Sequence, residues 1–168
     1  PFIILSTGIV TSVGLLFALY LASGLGMAGV GMGVMHDANH GSYSGNHKVN
    51  KVLGLTMNLV GANAYIWKIQ HNKLHHTYTN IEGSDEDIAA PFFLRFSPHD
   101  KKHWLQRFQH IYGWFFYGIS TLSWITAKDF VNLKHFREVG LIKSKKEYKQ
   151  ELLKITGWKV FYYSFALV

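Results

Sequence analysis

Charged and uncharged positions are segregated along this chain. No Lys, Arg, Asp or Glu occurs from Pro1 to Met35, and all 17 basic and 10 acidic residues lie beyond it. A charge at the centre of a bilayer costs several kcal/mol, so such a stretch reads as lipid-embedded. At ~1.5 Å per residue, 35 helical residues would reach ~52 Å, well past a ~30 Å hydrocarbon core. The pattern therefore predicts a break at Ser6-Thr7-Gly8, a helix stub at Pro1–Leu5, and a tilted transmembrane helix over about 9–35. A signal peptide fits poorly, because no basic segment precedes the apolar run and no cleavage-like site follows it.

Beyond His40 the chain turns polar, and two further uncharged stretches follow, Val52–Trp67 and Ile111–Ala127. At 16 and 17 residues both are short for a crossing, which predicts an interfacial helix over 46–70 and a membrane-dipping helix over 108–127. Basic residues flank the second stretch on both sides, eight over residues 41–107 and nine over 128–159. A single crossing there would put one basic loop on the wrong face under the positive-inside rule. The next span is expected from Gly157 to Val168, an apolar run interrupted only by Lys159. With no initiator Met and an apolar end, the chain reads as one membrane domain, 1–168, cut at both ends. The expected fold class is all-α, with integral membrane helices, interfacial amphipathic helices and a histidine-rich metal site on the cytosolic face.

Composition narrows the chemistry. There is no Cys, which excludes disulfides and thiolate ligands. The net charge of +7 is assigned to loops facing anionic lipid rather than to nucleic acid, which is not expected as a partner. Gly24, Gly26, Gly29, Gly31 and Gly33 crowd the first apolar segment, and Ala22/Gly26 and Gly29/Gly33 have the small-xxx-small spacing that lets helices approach closely.

The candidate site lies in the histidines. His36 and His40 are four apart, as are His71 and His75, which puts each pair on one helix face. On α-helical geometry His76 lies about 100° further round. Five imidazoles exceed the needs of one tetrahedral zinc, and a two-metal centre completed by further ligands is the simpler account. Both clusters must then share one membrane face. Asp37, Asn39, Asn72 and Asn80 are the candidates for accepting the other ring N–H of a ligating histidine, Asp37 first among them. His99, His103 and His110 lie among Lys101, Lys102 and Arg107 without such neighbours and read as a solvated helix start. Spacing does not select the metal.

These segments resemble the histidine boxes of the membrane fatty-acid desaturases. His36-Asp-Ala-Asn-His40-Gly-Ser is similar to the first box, of HxxxH form, and His71-Asn-Lys-Leu-His75-His76-Thr-Tyr-Thr-Asn80 to the second, of HxxxHH form. Tyr65-Ile-Trp-Lys-Ile-Gln-His71, Asn80-Ile-Glu-Gly and Arg107-Phe-Gln-His-Ile-Tyr112 are similar to bacterial acyl-CoA desaturases of the linoleoyl-CoA, front-end type. The third box of that family, (H/Q)xxHH, is not present, since no His follows His135; it is expected beyond Val168. The resemblance implies O2-dependent removal of two hydrogens from an acyl-CoA or acyl-lipid at two iron ions. It implies ligands His36, His40, His71, His75 and His76, and electrons from a ferredoxin or a b-type cytochrome. It also implies a bacterial inner membrane, with the clusters on its cytoplasmic face. Tyr65 and Trp67 become candidate walls of an acyl channel, with anchoring of an interfacial helix as their other reading. A histidine-box hydroxylase or ketolase, and a non-redox zinc membrane protein, are the competing functions.

Overall fold

The computed structural model describes residues 7–166. Its described residues are helical, with turns between the helices and no strand. The expected stub at Pro1–Leu5 lies outside the described residues. Of the expected break, Thr7 and Gly8 form a turn, with Gly8 at φ 66°.

The chain divides into two compact units, one reaching to Val60 and taken up again from Val160, the other Gly61–Lys159. In the first, the helix α1 runs over Val13–His40 and is long and apolar enough to cross a membrane. Its 28 residues correspond to about 42 Å. It begins at Ser12, whose hydroxyl accepts from the Leu15 N–H at 3.5 Å, and no residue of its first 17 is buried. The hydroxyl of Ser23 is satisfied on the carbonyl of Leu19 at 2.7 Å, as an uncovered apolar helix requires. Val30–Met35 is wound as a π-helix, and the α-helical turn His36–His40 completes α1.

α1 stops because Gly41 takes the left-handed conformation, φ 80°, with its N–H on the carbonyl of Ala38. Asn50 then knits the following turn. Its amide donates to the carbonyls of Gly41 and Ser44 at 2.8 and 2.7 Å and accepts from the Ser44 N–H at 2.9 Å. Asn50 belongs to α2, His47–Gly54, which is capped by Asn46 and followed by α3, Thr56–Leu59.

The second unit begins with a turn at Gly61, φ 86°, and Asn63, whose side-chain oxygen caps α4 through the N–H groups of Tyr65 and Ile66. α4 covers residues 64–78. It opens as an α-helix, is π-helical over Lys68–His75, and closes as an α-helical turn, His76–Tyr78. The stretch anticipated as one helix over 46–70 is thus divided, because a left-handed glycine and a side-chain cap start a new helix at residue 64.

An irregular segment leads to α5, a helical run over residues 104–138. It passes from a 3-10 turn, Trp104–Phe108, through Gln109–Ser123 and a π-segment, Trp124–Lys128, into Asp129–Glu138. A turn with Gly140 at φ 79° leads to α6, Lys145–Ala166. The core of this unit lies where α4, α5 and α6 present apolar residues at helical spacing. Ile66, Leu133, Phe136, Ile142 and Ile155 are buried there, with Ile69, Phe130, Tyr148 and Leu152 packed around them.

Under this core sits one buried ion pair. Lys159 of α6 meets the carboxylate of Asp129 at 2.7 Å, and both side chains are more than nine-tenths buried. The ammonium also donates to the carbonyls of Gly61 at 2.8 Å and of Trp124 and Ile125 at 3.1 Å. Burial pushes the Asp129 carboxyl up, against the opposing pull of Lys159.

Candidate metal centre

The second histidine segment owes its geometry to its winding. In an α-helix the partner of His71 would be His75; in the π-helix Lys68–His75 the backbone bonds run from i to i+5, and the N–H of His76 donates to the carbonyl of His71. His76 is thereby drawn alongside His71. Their rings meet edge to face at 4.8 Å, and their Nε2 atoms lie 3.3 Å apart. The displacement of about 100° expected for His76 on α-helical geometry is removed by the wider turn. His75 stacks on His71 on another side, ring centroids 5.1 Å apart, and Trp67 stacks on His71 at 4.4 Å.

The opposite ring nitrogens are held by carboxylates. Nδ1 of His71 lies 2.8 Å from Asp87, and Nδ1 of His75 lies 2.9 Å from Asp85. A carboxylate only accepts, so Nδ1 is the donor in both rings, and in the neutral tautomer this selects, Nε2 carries the lone pair. Asp85 is fully buried and is fixed by the N–H groups of Asn80 at 2.8 Å and Asp87 at 2.9 Å. Burial raises its pKa, but those N–H groups and His75 outweigh burial and hold the carboxyl below the usual carboxylate range. Asp87 is held from the other side by the amide of Gln70, 2.6 Å away, which in turn accepts from Asn132 of α5 at 2.9 Å.

In the first unit, His36 and His40 stand one turn apart at the end of α1, with Nε2 atoms 3.2 Å apart. Nδ1 of His36 lies 3.0 Å from the half-exposed carboxylate of Asp37. Asn39 turns the other way: buried, it donates to the carbonyl of Gly54 at 3.2 Å.

Each cluster thus presents a pair of Nε2 atoms. Bonds of about 2.1 Å to one ion put neighbouring imidazole nitrogens about 3.0–3.4 Å apart. Both pairs, at 3.2 and 3.3 Å, fit that separation. His71, His75 and Asp87 also bring one ligand atom each within 4.8 Å of one another. The donor set suits a metal ion.

Other candidates fall elsewhere. Asn80 acts through its backbone, at φ 63°, and Asn72 is half-buried on the π-turn between the histidines. The hydroxyl of Tyr65 donates to Glu147 at 2.9 Å, and burial together with that carboxylate raises its pKa. His103 caps α5 with its ring, its Nδ1 accepting from the Leu105 N–H. His135 reaches Glu86 at 3.1 Å. Asp85 and Asp87, in the acidic stretch Glu82–Asp87, are not among the residues expected from the sequence. The available signal was two carboxylates nine and eleven residues after His76, in the loop that follows a cluster of histidines needing acceptors.

Comparison with known proteins follows the same lines. A sequence model described as fatty acid desaturase matches residues 11–168. The sn-1 linoleoyl-lipid 6-desaturase of Arthrospira platensis is 43% identical over 104 residues, 62% of this chain and 28% of that protein. The protein of the same name from Synechocystis sp. is 39% identical over 121 residues, 72% of this chain and 33% of that protein. An acyl-lipid (8-3)-desaturase of Physcomitrium patens is 36% identical over 121 residues, 71% of this chain and 25% of that protein. The chain thus spans a third or less of the length of these relatives. No solved structure gives a significant match.

Proposed function

The chain belongs to the fatty acid desaturase family, and from that premise we propose that it supplies two of the three histidine segments of an acyl-lipid desaturase. The carboxylate-backed histidines of the second cluster carry this reading. Their Nδ1 protons are committed to Asp85 and Asp87, which aims Nε2 of His71 and His75 away from the loop. His36, His40, His71, His75 and His76 are the proposed ligands of two iron ions, completed by histidines from the remainder of the protein. The carrier is proposed as a lipid because the relatives named above are linoleoyl-lipid and acyl-lipid desaturases.

Iron bound there supplies the redox chemistry with O2. Two hydrogens leave adjacent methylenes and, with two electrons and two protons from outside, reduce O2 to two waters. The electrons are proposed to come from a ferredoxin or a b-type cytochrome. The part played by this chain is orientation. Asp85, Asp87 and Asp37 fix the tautomer and tilt of the rings they touch, so little reorganisation is needed when metal binds. Trp67, flat against His71, closes one side of that ring to water. Tyr65 and Trp67 are proposed to border the path of the acyl chain. The family is membrane-associated and α1 supplies a helix able to span; the bacterial inner membrane, with the clusters facing the cytoplasm, is the proposed setting.

The test is to express the full-length protein and its variants and to analyse lipids and metal. His36→Ala and His71→Ala should each abolish new double bonds, while His99→Ala should leave most of them. Normal product from either of the first two would remove that residue as a ligand. Hydroxylated lipids in place of unsaturated ones, or zinc in place of iron by elemental analysis, would overturn the function.

A further inference from the structure

The segment from Pro91 to His103 has no regular structure, yet it is strapped to α5 by side chains. Gln109 holds both the N–H and the carbonyl of Arg95, at 2.7 and 3.1 Å, and Gln106 donates to the carbonyl of Phe92 at 2.8 Å. The Tyr112 hydroxyl donates to the carbonyl of Phe93. Arg95 in turn donates to the carbonyls of Pro98 and Asp100. These bonds fix the strap together with the buried Leu94 and the ring of Phe93, which lies 4.5 Å from that of Phe116.

Between strap and helix lies a cleft of about 830 Å³. Arg95, Lys102 and Arg107 contribute three cations to its lining, and no carboxylate lines it among the described residues. One wall is aromatic, made by Phe96, Trp114 and Tyr117. Beyond that wall α5 stays uncharged as far as Ala127, and it leaves Ile111, Trp114, Phe115 and Leu122 between 58% and 75% exposed.

Cations gathered at one end of an uncovered apolar helix, with Trp and Tyr at the boundary, match the depth profile of a bilayer leaflet. A soluble phosphate would make use of the cations alone and leave the apolar face in water. We propose that this cleft binds the headgroup of an anionic phospholipid, its phosphate against Lys102 and Arg107 and its acyl chains along the exposed face of α5. The site is independent of the histidine clusters, and the lipid held there need not be the one desaturated.

The test reads lipid retention rather than turnover. Delipidated full-length protein in detergent is offered equal amounts of phosphatidylglycerol and phosphatidylcholine, and the retained lipid is counted by native mass spectrometry. Phosphatidylglycerol should be favoured roughly tenfold or more, the scale expected of two basic side chains at an anionic headgroup. The doubly substituted K102Q/R107Q protein should fall to parity, with its thermal unfolding midpoint checked alongside. The charge-matched K145Q/K146Q protein, altered on the exposed start of α6, should keep the preference.

Parity in the unsubstituted protein, a preference surviving in K102Q/R107Q, or equal loss in K145Q/K146Q would overturn the proposal. Glycerol 3-phosphate displacing the lipid at matched concentration would make the cleft a soluble-anion site instead. An acidic redox protein that binds through Lys102 and Arg107 with no lipid preference would assign the surface to that partner, and would also overturn it.

Discussion

His71 and His75 each rest on a carboxylate from the loop that follows them, and each carboxylate is itself held by a further group: Asp85 by backbone N–H groups, Asp87 by Gln70. Loss of such an outer partner from a metal site costs about 10–100-fold in affinity or activity. Asp87→Asn and Asp85→Asn in the full-length protein should therefore lower bound iron at limiting metal by that order, as read by elemental analysis. Unchanged iron content in both would detach the acidic loop from the site. Gln70→Ala acts through Asp87 and should give a smaller loss, with Asn132→Ala smaller again. The pairing of the histidines was legible in the sequence, because four-residue spacing is readable without coordinates, and their ligand role is the proposal these variants test. Asp85 and Asp87 were not, since their reach back to residues 75 and 71 depends on the left-handed turns at Asn80 and Gly83.

Among the elements, the end of α1 and the end of α2 hold the first cluster in place through small groups. A Cβ built on Gly54 would lie 2.5 Å from Oδ1 of Asn39, the residue directly before His40. Asn39 is buried and has little room to yield. Gly54→Ala is expected to cost about 1–3 kcal/mol, the range for overpacking, seen as a lower thermal midpoint and reduced iron in the folded fraction. Gly41→Ala should cost about 1–2 kcal/mol, since its left-handed φ of 80° penalises a Cβ whatever the space around it. A melting curve unchanged by Gly54→Ala would show that Asn39 does not lean on α2. The sequence marked Gly41 as the start of a polar turn and put Gly54 inside an expected interfacial helix over 46–70. That Gly54 serves contact and Gly41 conformation follows from the fold, and neither glycine differs from its neighbours in composition.

At the scale of the molecule, the second unit turns on Lys159. In the sequence this residue looks like a flaw in an apolar run. In the fold its ammonium ties α6 to the Gly61 turn that starts α4, to the π-segment of α5, and to Asp129. The carbonyls of Trp124 and Ile125 that it reaches both lie in the π-segment Trp124–Lys128. Breaking a buried pair from one side strands the other charge, at a cost of about 3–5 kcal/mol. Lys159→Met should destabilise by that order, and adding Asp129→Leu should recover much of it, measured by thermal unfolding of the purified protein. No recovery in the double variant would mean the three backbone carbonyls, rather than Asp129, set the value of the lysine. The all-helical class and the long apolar helix were legible from charge segregation alone. The brace was hidden because its partners lie between 30 and 98 residues away, beyond any periodicity.

The winding of α4 has a consequence for how this chain can vary. A π-turn is an α-turn holding roughly one residue more, so Lys68–His75 behaves as an α-helix into which an extra position has been spliced. Exchanging Lys73 for another side chain leaves that surplus intact. Removing it would let the stretch run as an ordinary α-helix with His76 four residues from His71, still on the same face, whereas α winding at the present length would set His76 about 140° from His71. What this stretch has to preserve is the match between its length and its winding, since at this length the π-turn is what keeps His71 and His76 together.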